Sequence, residues 1–375
     1  MQNILITGWY GTETIGDRAI LAGLVSLFKD VFTEKFRLSI SSLYPYLTER
    51  TIIEDGEFLN EISEGRLDGI GVLPVSSIID VRKQVRASDF VVFGGGPIMD
   101  IPDLSIMEYI FRYARKKNIK TAVLGCGVGP ICLNHSINSM HSIIESSDLC
   151  IFRDRKSADE YKRLGGKKEV YSCMDPAVFT ADYYRRTYPP KTSDYVAINF
   201  RNIAGDSYDD TKSKAYDELF RRIIKTESAN NKLRLIPMHT FVIGGDDRYY
   251  LNYLSEGMTQ SVDVQNRPLS LRDTMEVYRD ARYCYGMRFH SVLLQTILNG
   301  NNYILDYTDP TKGKIVGLLE SLGIYEQVKQ AGKYVSLVDG TNEFSTNTGV
   351  PVKIANSIIS DYRSIYISKL KELFK

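Results

Sequence analysis

The sequence predicts an α/β fold made of two doubly wound lobes in series with a central cleft. Short apolar runs alternate with helical patterns from the first residues onward, which is the mark of parallel strand–helix–strand units. The alternation lapses once, in the polar stretch ADYYRRTYPPKTSD at residues 181–194, and then resumes. A length of 375 residues also exceeds one compact domain, for which roughly 100–200 residues is usual.

In the first lobe the uninterrupted apolar runs place strands at 3–7, 37–41, 90–93, 121–124 and 149–152. Helical patterns fall between them at 17–29, 104–117, 137–147 and 157–164, the last closed by Gly165-Gly166. The second lobe repeats the scheme, with strands at 195–200, 233–237, 283–285 and 303–305 and helices at 212–226, 247–254, 271–279, 291–298 and 314–322. A long amphipathic helix is expected over 352–375. The resulting division is a first lobe at 1–180, a second at 181–345 and a terminal helical segment at 346–375, with 181–194 as the linker.

Lys and Arg number 47 against 46 Asp and Glu, for a net charge of +1. Such a balance leaves no global field for a nucleic-acid backbone or an anionic membrane, so any anion site must be local. No stretch approaches the roughly 18 apolar residues of a spanning helix, and the opening MQNILITG runs straight into a strand without a basic flank or cleavage site. A soluble, cytoplasmic protein without an integral membrane segment is expected, reaching a membrane face only through partners. Cys126, Cys132, Cys150, Cys173 and Cys284 are odd in number and lack CxxC spacing, which fits reduced thiols rather than disulfides or structural zinc.

In an open parallel sheet, ligands bind at the carboxyl ends of the strands. The glycines of the first lobe gather there. GWYGTETIGDRAIL at residues 8–21 gives the pattern G-x-x-G-x-x-x-x-G-D, which is neither the dinucleotide nor the phosphate-loop spacing. Asp17 would repel a phosphate that the helix N-terminus attracts. Two uses of Asp17 are open: a helix cap, or a carboxylate that takes a proton from a sugar hydroxyl. Gly94-Gly95-Gly96, with Asp100 beyond it, and Gly125-Cys126-Gly127-Val128-Gly129-Pro130 form two more glycine-rich turns. They make either a side-chain-poor platform for a sugar, using Gly11, Gly16, Gly95, Gly96 and Gly127 with Asp17, or tight strand exits packed beside the Gly8 turn.

The second lobe differs chemically. Its strands end in Asn199-Phe200-Arg201, Pro237-Met238-His239 and Gly286-Met287-Arg288-Phe289-His290. Arg201, Arg288, His239 and His290 therefore recur at positions where such a sheet holds its ligand, and Arg288 and His290 open a helical pattern whose first N–H groups favour an anion. Asp246, Asp247 and Asp306 are carboxylates to weigh for a metal, but they form no DxD pattern, and no metal is expected.

Taken together, these residues resemble the polysaccharide pyruvyl transferase family. The resemblance runs in family order through the turn at 8–21, VVFGGGPIMD at 91–100, GCGVGP at 125–130, FRDRKSADEYKRLG at 152–165 and the DPA of 175–177. It continues through INFR at 198–201, PMH and GGDDR within 237–248, GMRFHS at 286–291 and the K-x-x-x-L-L-x-x-L-G of 314–323. The family likeness implies two Rossmann-like lobes arranged as in GT-B glycosyltransferases. It implies phosphoenolpyruvate as donor substrate, no cofactor, and a lipid-linked or nucleotide-linked saccharide of a capsule or exopolysaccharide as acceptor. By motif, Arg201, Arg288 and His290 fall on the donor-binding positions. His290 assisted by Arg288 is then the acid or phosphate-stabilising group, Asp17 the base and His239 the reserve base. The turn Thr14-Ile15-Gly16-Asp17 and the following Arg18 depart from the commoner family version, on the acceptor side. A GT-B glycosyltransferase using a nucleotide sugar and a carbohydrate-binding scaffold without turnover are the alternatives.

Overall fold

The computed structural model describes the chain apart from residues 13, 204–209, 242–244, 259–260, 310, 312 and 339–350. Gly244 of the GGDDR motif and the expected boundary at 345–346 lie outside the described residues. Two compact units emerge, Met1–Thr180 with Asn356–Lys375, and Ala181–Ala355.

The first unit contains β1 (Gln2–Thr7), α1 (Ile15–Val31), β2 (Phe36–Ser42), α2 (Pro45–Ile62), β3 (Leu67–Pro74), α3 (Ile78–Arg86) and β4 (Phe90–Phe93). It continues with α4 (Leu104–Lys116), β5 (Lys120–Cys126), α5 (Asn134–Glu145), β6 (Leu149–Phe152), α6 (Arg155–Arg163), β7 (Tyr171–Ser172) and the start of α7 (Ala177–Thr187). The second unit holds β8 (Tyr195–Ile198), α8 (Asp210–Ser228), β9 (Lys232–Leu235), α9 (Asp247–Ser255), β10 (Val262–Val264) and α10 (Leu271–Asp280). After these come β11 (Cys284–Gly286), α11 (Phe289–Leu298), β12 (Asn302–Asp306), α12 (Lys314–Ser321), α13 (Tyr325–Gln330) and β13 (Tyr334–Ser336), and the chain then returns to the first unit as α14 (Asn356–Leu373).

Both sheets are parallel, in the orders β3-β2-β1-β4-β5-β6-β7 and β10-β9-β8-β11-β12-β13. Each reverses its winding direction between two neighbouring strands, β1 and β4 in one and β8 and β11 in the other. The crevice at such a reversal is where this topology binds ligands.

Sequence explains why the first sheet is covered on both faces. FVVF of β4 and LCIF of β6 are buried at every position. Leu5, Val91, Phe93 and Val123 point to one face and pack with Val85, Met107, Phe111 and Met140 of α3 to α5. On the other face Phe28 of α1 sets its ring against Phe36 and Phe90. The end of the chain completes that side: Phe374 lies 5.0 Å from the rings of both Phe32 and Phe90, Tyr366 donates to the Met174 carbonyl at 2.6 Å, and Arg363 pairs with Asp30 at 2.6 Å.

Three expectations need correction. Residues 181–187 of the expected linker are the second half of α7, because Ala177, Val178, Phe179, Ala181 and Tyr184 are all buried and the helix ends only ahead of Pro189-Pro190. The terminal helix starts at Asn356 rather than 352, and 351–355 is irregular. Strands β3, β7, β10 and β13 were not expected; they are the outer strands of the two sheets, partly exposed and without a continuous apolar run. Helices α2, α3 and α13 were likewise missed, and α2 buries only Thr48, Asp55, Phe58, Leu59 and Ile62 along its 18 residues.

Helix α1 makes room for the loop before α7 through Gly23, where a Cβ would stand 1.9 Å from the Pro176 carbonyl oxygen. Gly56, in α2, has nothing within 4 Å of such a Cβ. We expect Gly23→Ala to lose about 1–3 kcal/mol by overpacking and Gly56→Ala to gain up to about 1 kcal/mol by helix propensity. Urea unfolding of both variants checks this, and a Gly23→Ala midpoint at or above wild type would contradict the packing.

Candidate active site

The strand ends of the second sheet carry the expected cations. Asn199, just past β8, is fully buried and ties three exits together. Its amide donates to the Ile236 carbonyl at 2.9 Å, and its side-chain oxygen accepts the Arg288 backbone N–H at 3.1 Å. Asp247, the first residue of α9, is 2% exposed. Its Oδ2 accepts the backbone N–H groups of Met238 and His239 at 3.0 and 3.1 Å. Arg288 closes on the same carboxylate, Nε to Oδ2 at 2.8 Å and Nη2 to Oδ1 at 2.6 Å. A carboxylate removed from water requires this degree of pairing. Its result is an Arg288 of defined direction whose side chain is still 18% exposed.

Arg288 is also the N-cap of α11, and His290 stands in that helix's first turn, half-buried and edge-on to Phe289. His239 is buried, and its carbonyl accepts the Asp247 N–H at 2.9 Å. Beside Arg288 opens a cavity of about 530 Å³ bordered by Asn202, Asp247 and Tyr250.

Arg201 lays its guanidinium over the Tyr307 ring, 4.9 Å from the centre, and its Nη1 donates to the phenol oxygen at 3.3 Å. Lys314, the first residue of α12, holds its ammonium 5.5 Å from the same centre. Gly313 makes this approach feasible, since a Cβ there would meet Thr308 Oγ1 at 2.2 Å and the Asp309 carbonyl oxygen at 2.4 Å. Burial pushes the Tyr307 phenol up, but the charges of Lys314, Arg201 and Arg288 outweigh it and bring it down to about 8.

The structure thus gathers Arg201 and Arg288 around one phenol, adds Tyr307, which the sequence did not single out, and gives roles to Asp247, as the anchor of Arg288, and to Lys314, which stood only as the first residue of a family-like motif. A signal existed for Lys314, since a lysine in the first turn opposes the helix dipole and calls for another reason to be there. Asp306 serves the fold, accepting the Thr308 N–H and the Tyr334 hydroxyl at 2.8 Å each. Asp246 caps α9 and pairs with Arg248. Among the described residues no group of three or more His, Cys, Asp or Glu gathers as it would for a metal ion, and the five cysteines are free thiols.

In the first unit the glycine turns pack against one another. A Cβ on Gly8 would stand 2.9 Å from the Gly95 Cα, and one on Gly96, at φ +70, would stand 2.4 Å from the Trp9 ring. Gly127 is 2.5 Å by the same measure from the guanidinium of buried Arg153, Gly95 is 3.0 Å from the Tyr10 ring, and Gly11, at φ +92, is 2.7 Å from Ser42 Oγ. Tyr10 donates to the Gly94 carbonyl, and Trp9 Nε1 donates to that of Pro97 at 2.6 Å. Asp100 is held low: burial acts to raise it, but hydrogen bonds from the Cys132 and Leu133 N–H groups outweigh burial and pin the following loop. Arg18 is buried and pairs with Asp55 at 2.7 Å and Glu54 at 3.0 Å of α2, so the family departure at this position serves helix pairing.

Asp17 follows Gly16 in the first turn of α1, whose N-cap is Thr14. It lines a cavity of about 20 Å³ with Trp9, Tyr10 and Thr14, room for about one water. Burial pushes its carboxyl up, a hydrogen bond with Thr14 counters this and the charge of Asp175 adds to the rise, leaving it at about 7.

The protein has the GT-B fold, with two parallel α/β units. Solved structures share that fold at low identity. The UDP-GlcNAc 2-epimerase of Methanocaldococcus jannaschii in complex with UDP-GlcNAc and UDP aligns over 98% of this chain and 99% of its own, at 11% identity and a TM-score of 0.59. The UDP-GlcNAc 2-epimerase of Neisseria meningitidis bound to UDP-GlcNAc covers 99% and 100%, at 10% identity and a TM-score of 0.54. An alpha-glucosyltransferase in complex with UDP and DNA covers 98% and 95%, at 10% identity and a TM-score of 0.51. No curated protein matches the chain. The family model for polysaccharide pyruvyl transferase matches residues 15–309, more than half of the sequence, and the chain belongs to that family.

The raised Asp17 carboxyl has a consequence for stability. Between the ordinary 3.8 and about 7 the folded protein binds a proton that the unfolded chain has released, so wild type loses stability as pH rises through that window. Asp17→Asn should therefore melt above wild type at about pH 8, by on the order of 4 kcal/mol at most, with the gap closing toward about pH 4. Thermal unfolding across this range checks it; a pH-independent difference would contradict a buried carboxyl.

Proposed function

We propose that the protein transfers the pyruvyl group of phosphoenolpyruvate to two hydroxyls of one saccharide, forming a ketal and releasing phosphate. The observation that carries the reading is the convergence of Arg201, Arg288 and Lys314 at the strand ends of the second sheet. Phosphoenolpyruvate bears a carboxylate and a phosphate on one small frame, and fixed cations in a partly dry site are what such a frame requires. Family membership supports the same reading.

In this proposal Arg201, Arg288 and Lys314 bind the donor's anionic groups, and His290 with the first N–H groups of α11 serves the phosphate. His239 is the reserve residue on the same sheet edge. The reaction asks for a proton on the methylene carbon, attack of one hydroxyl on C2, attack of a second and loss of phosphate. Asp17, at about 7, has the proton affinity of a general base near neutral pH. The acceptor is a lipid-linked or nucleotide-linked saccharide of a surface polysaccharide such as a capsule or exopolysaccharide. The proposed setting is the cytoplasm, with a membrane-borne acceptor reached through partner proteins; among the described residues no helix is long and apolar enough to cross a membrane.

Calorimetric titration with phosphoenolpyruvate and with UDP-, GDP- and CMP-sugars tests the donor. Wild type should bind phosphoenolpyruvate alone, and Arg288→Ala should weaken it roughly 10–100-fold through loss of charge-assisted hydrogen bonds. Saturable binding of a nucleotide sugar in its place would make the protein a GT-B glycosyltransferase. Once an acceptor is found, Asp17→Asn should lower turnover by roughly 10²–10⁴-fold, and a loss under about tenfold would remove Asp17 from the base role.

A further inference from the structure

We propose that Tyr307 is the acid that protonates the methylene carbon of the donor, an inference that rests on phosphoenolpyruvate being that donor. Tyr307 leaves the carboxyl end of β12, whose neighbour β11 ends beside Arg288. Tyr307 is 9% exposed, so its phenol sits in a largely water-excluded place. The charged groups facing it come from three elements: Arg201 after β8, Arg288 before α11 and Lys314 at the start of α12. Asp247 offsets part of the Arg288 charge through their ion pair, and Asp306 is tied to Thr308 and Tyr334, so the cations that count most at the phenol are Lys314 and Arg201. The net field there is positive.

Such a field couples the proton on Tyr307 to occupancy. With no anion bound, the cations draw the phenol toward phenolate; burial alone would have pushed it up, and the cations leave it at about 8. When a donor carboxylate and phosphate settle among the same cations, the field is neutralised and the phenol retains its proton. The acid is loaded by the arrival of its own substrate.

In the step itself the Tyr307 O–H bond breaks and the proton bonds to C3, using the electron pair of the C2–C3 double bond, so that CH₂ becomes CH₃. The first saccharide hydroxyl bonds through oxygen to C2 as Asp17 accepts its proton; Asp17 returns that proton to solvent, from which the phenolate recovers its own. The second hydroxyl oxygen then bonds to C2 as the C2–O bond to phosphate breaks. Phosphate leaves with that electron pair and accepts the second hydroxyl's proton, and nothing else is consumed.

Tyr307→Phe keeps the ring beneath Arg201 and removes only the hydroxyl. Phosphoenolpyruvate binding by calorimetry and the ultraviolet absorbance of phenolate against pH are measured on both proteins. Wild type should bind the donor and show an absorbance step near 8 that the variant lacks. Saturating phosphoenolpyruvate should move that step upward by about one pH unit or more, since each unit records a tenfold change in proton affinity. If wild type binds the donor but the step is missing, persists in the variant or ignores the donor, the acid role falls and the proposed function stands. If wild type does not bind phosphoenolpyruvate, the proposed function falls and this role with it. With an active saccharide acceptor, Tyr307→Phe should lose kcat by roughly 10²–10⁴-fold at little-changed donor KM. A raised KM at unchanged kcat would mean that the phenol only orients Arg201.

Discussion

The ligand edge of the second unit depends on one buried carboxylate. Asp247 binds both loops that leave β9 and β11, through two backbone N–H groups on one side and the Arg288 fork on the other. Asn199 adds the exit of β8. Desolvating a carboxylate is tolerable only with such partners, and taking one away from a buried pair costs about 3–5 kcal/mol. The interaction that aims Arg288 is thus also one that keeps the strand ends folded, and ligand geometry and local stability are not separable in this unit.

The interior of the fold was legible in the sequence and its margins were not. Strands such as β4 and β6 are buried on both faces, so FVVF and LCIF stand out as unbroken apolar runs. All four unexpected strands are outermost in their sheets, and β3 dilutes its pattern further with Gly69 and Gly71. Helix α7 was hidden because its apolar half precedes Ala181 while Tyr183 to Thr187 look like loop. At the site, Arg201 and Arg288 announced themselves as cations at strand ends. Tyr307 did not, being one tyrosine among 25, and Lys314 stood only as the first residue of a family-like motif, with no role attached. Only the close turn at Gly313 sets the two together, and that is a fact of tertiary structure.

The glycine-rich turns of the first unit carry a related lesson. Their residue types suit a ligand platform, yet Gly8 and Gly96 each have a neighbour inside the protein that would collide with a side chain, and Gly95 and Gly127 are closely packed by Tyr10 and Arg153. A glycine required by a neighbouring turn is silent about substrates. The two acids that follow such turns are more informative, because burial holds Asp17 up while hydrogen bonds from the adjacent loop hold Asp100 down. One is kept close to exchanging a proton at neutral pH, and the other is committed to its loop.

The second unit is a single continuous stretch, Ala181–Ala355, whereas the first is assembled from Met1–Thr180 and Asn356–Lys375. On the ribosome Met1–Thr180 emerges before the second unit and Asn356–Lys375 after it. Until that final segment emerges, the faces of Phe32 and Phe90 that receive Phe374 lie open, and the Met174 carbonyl waits for Tyr366. The uninterrupted unit has all of its described strands by then. During synthesis, the unit with the arginine cluster can therefore settle while the other unit still lacks Asn356–Lys375.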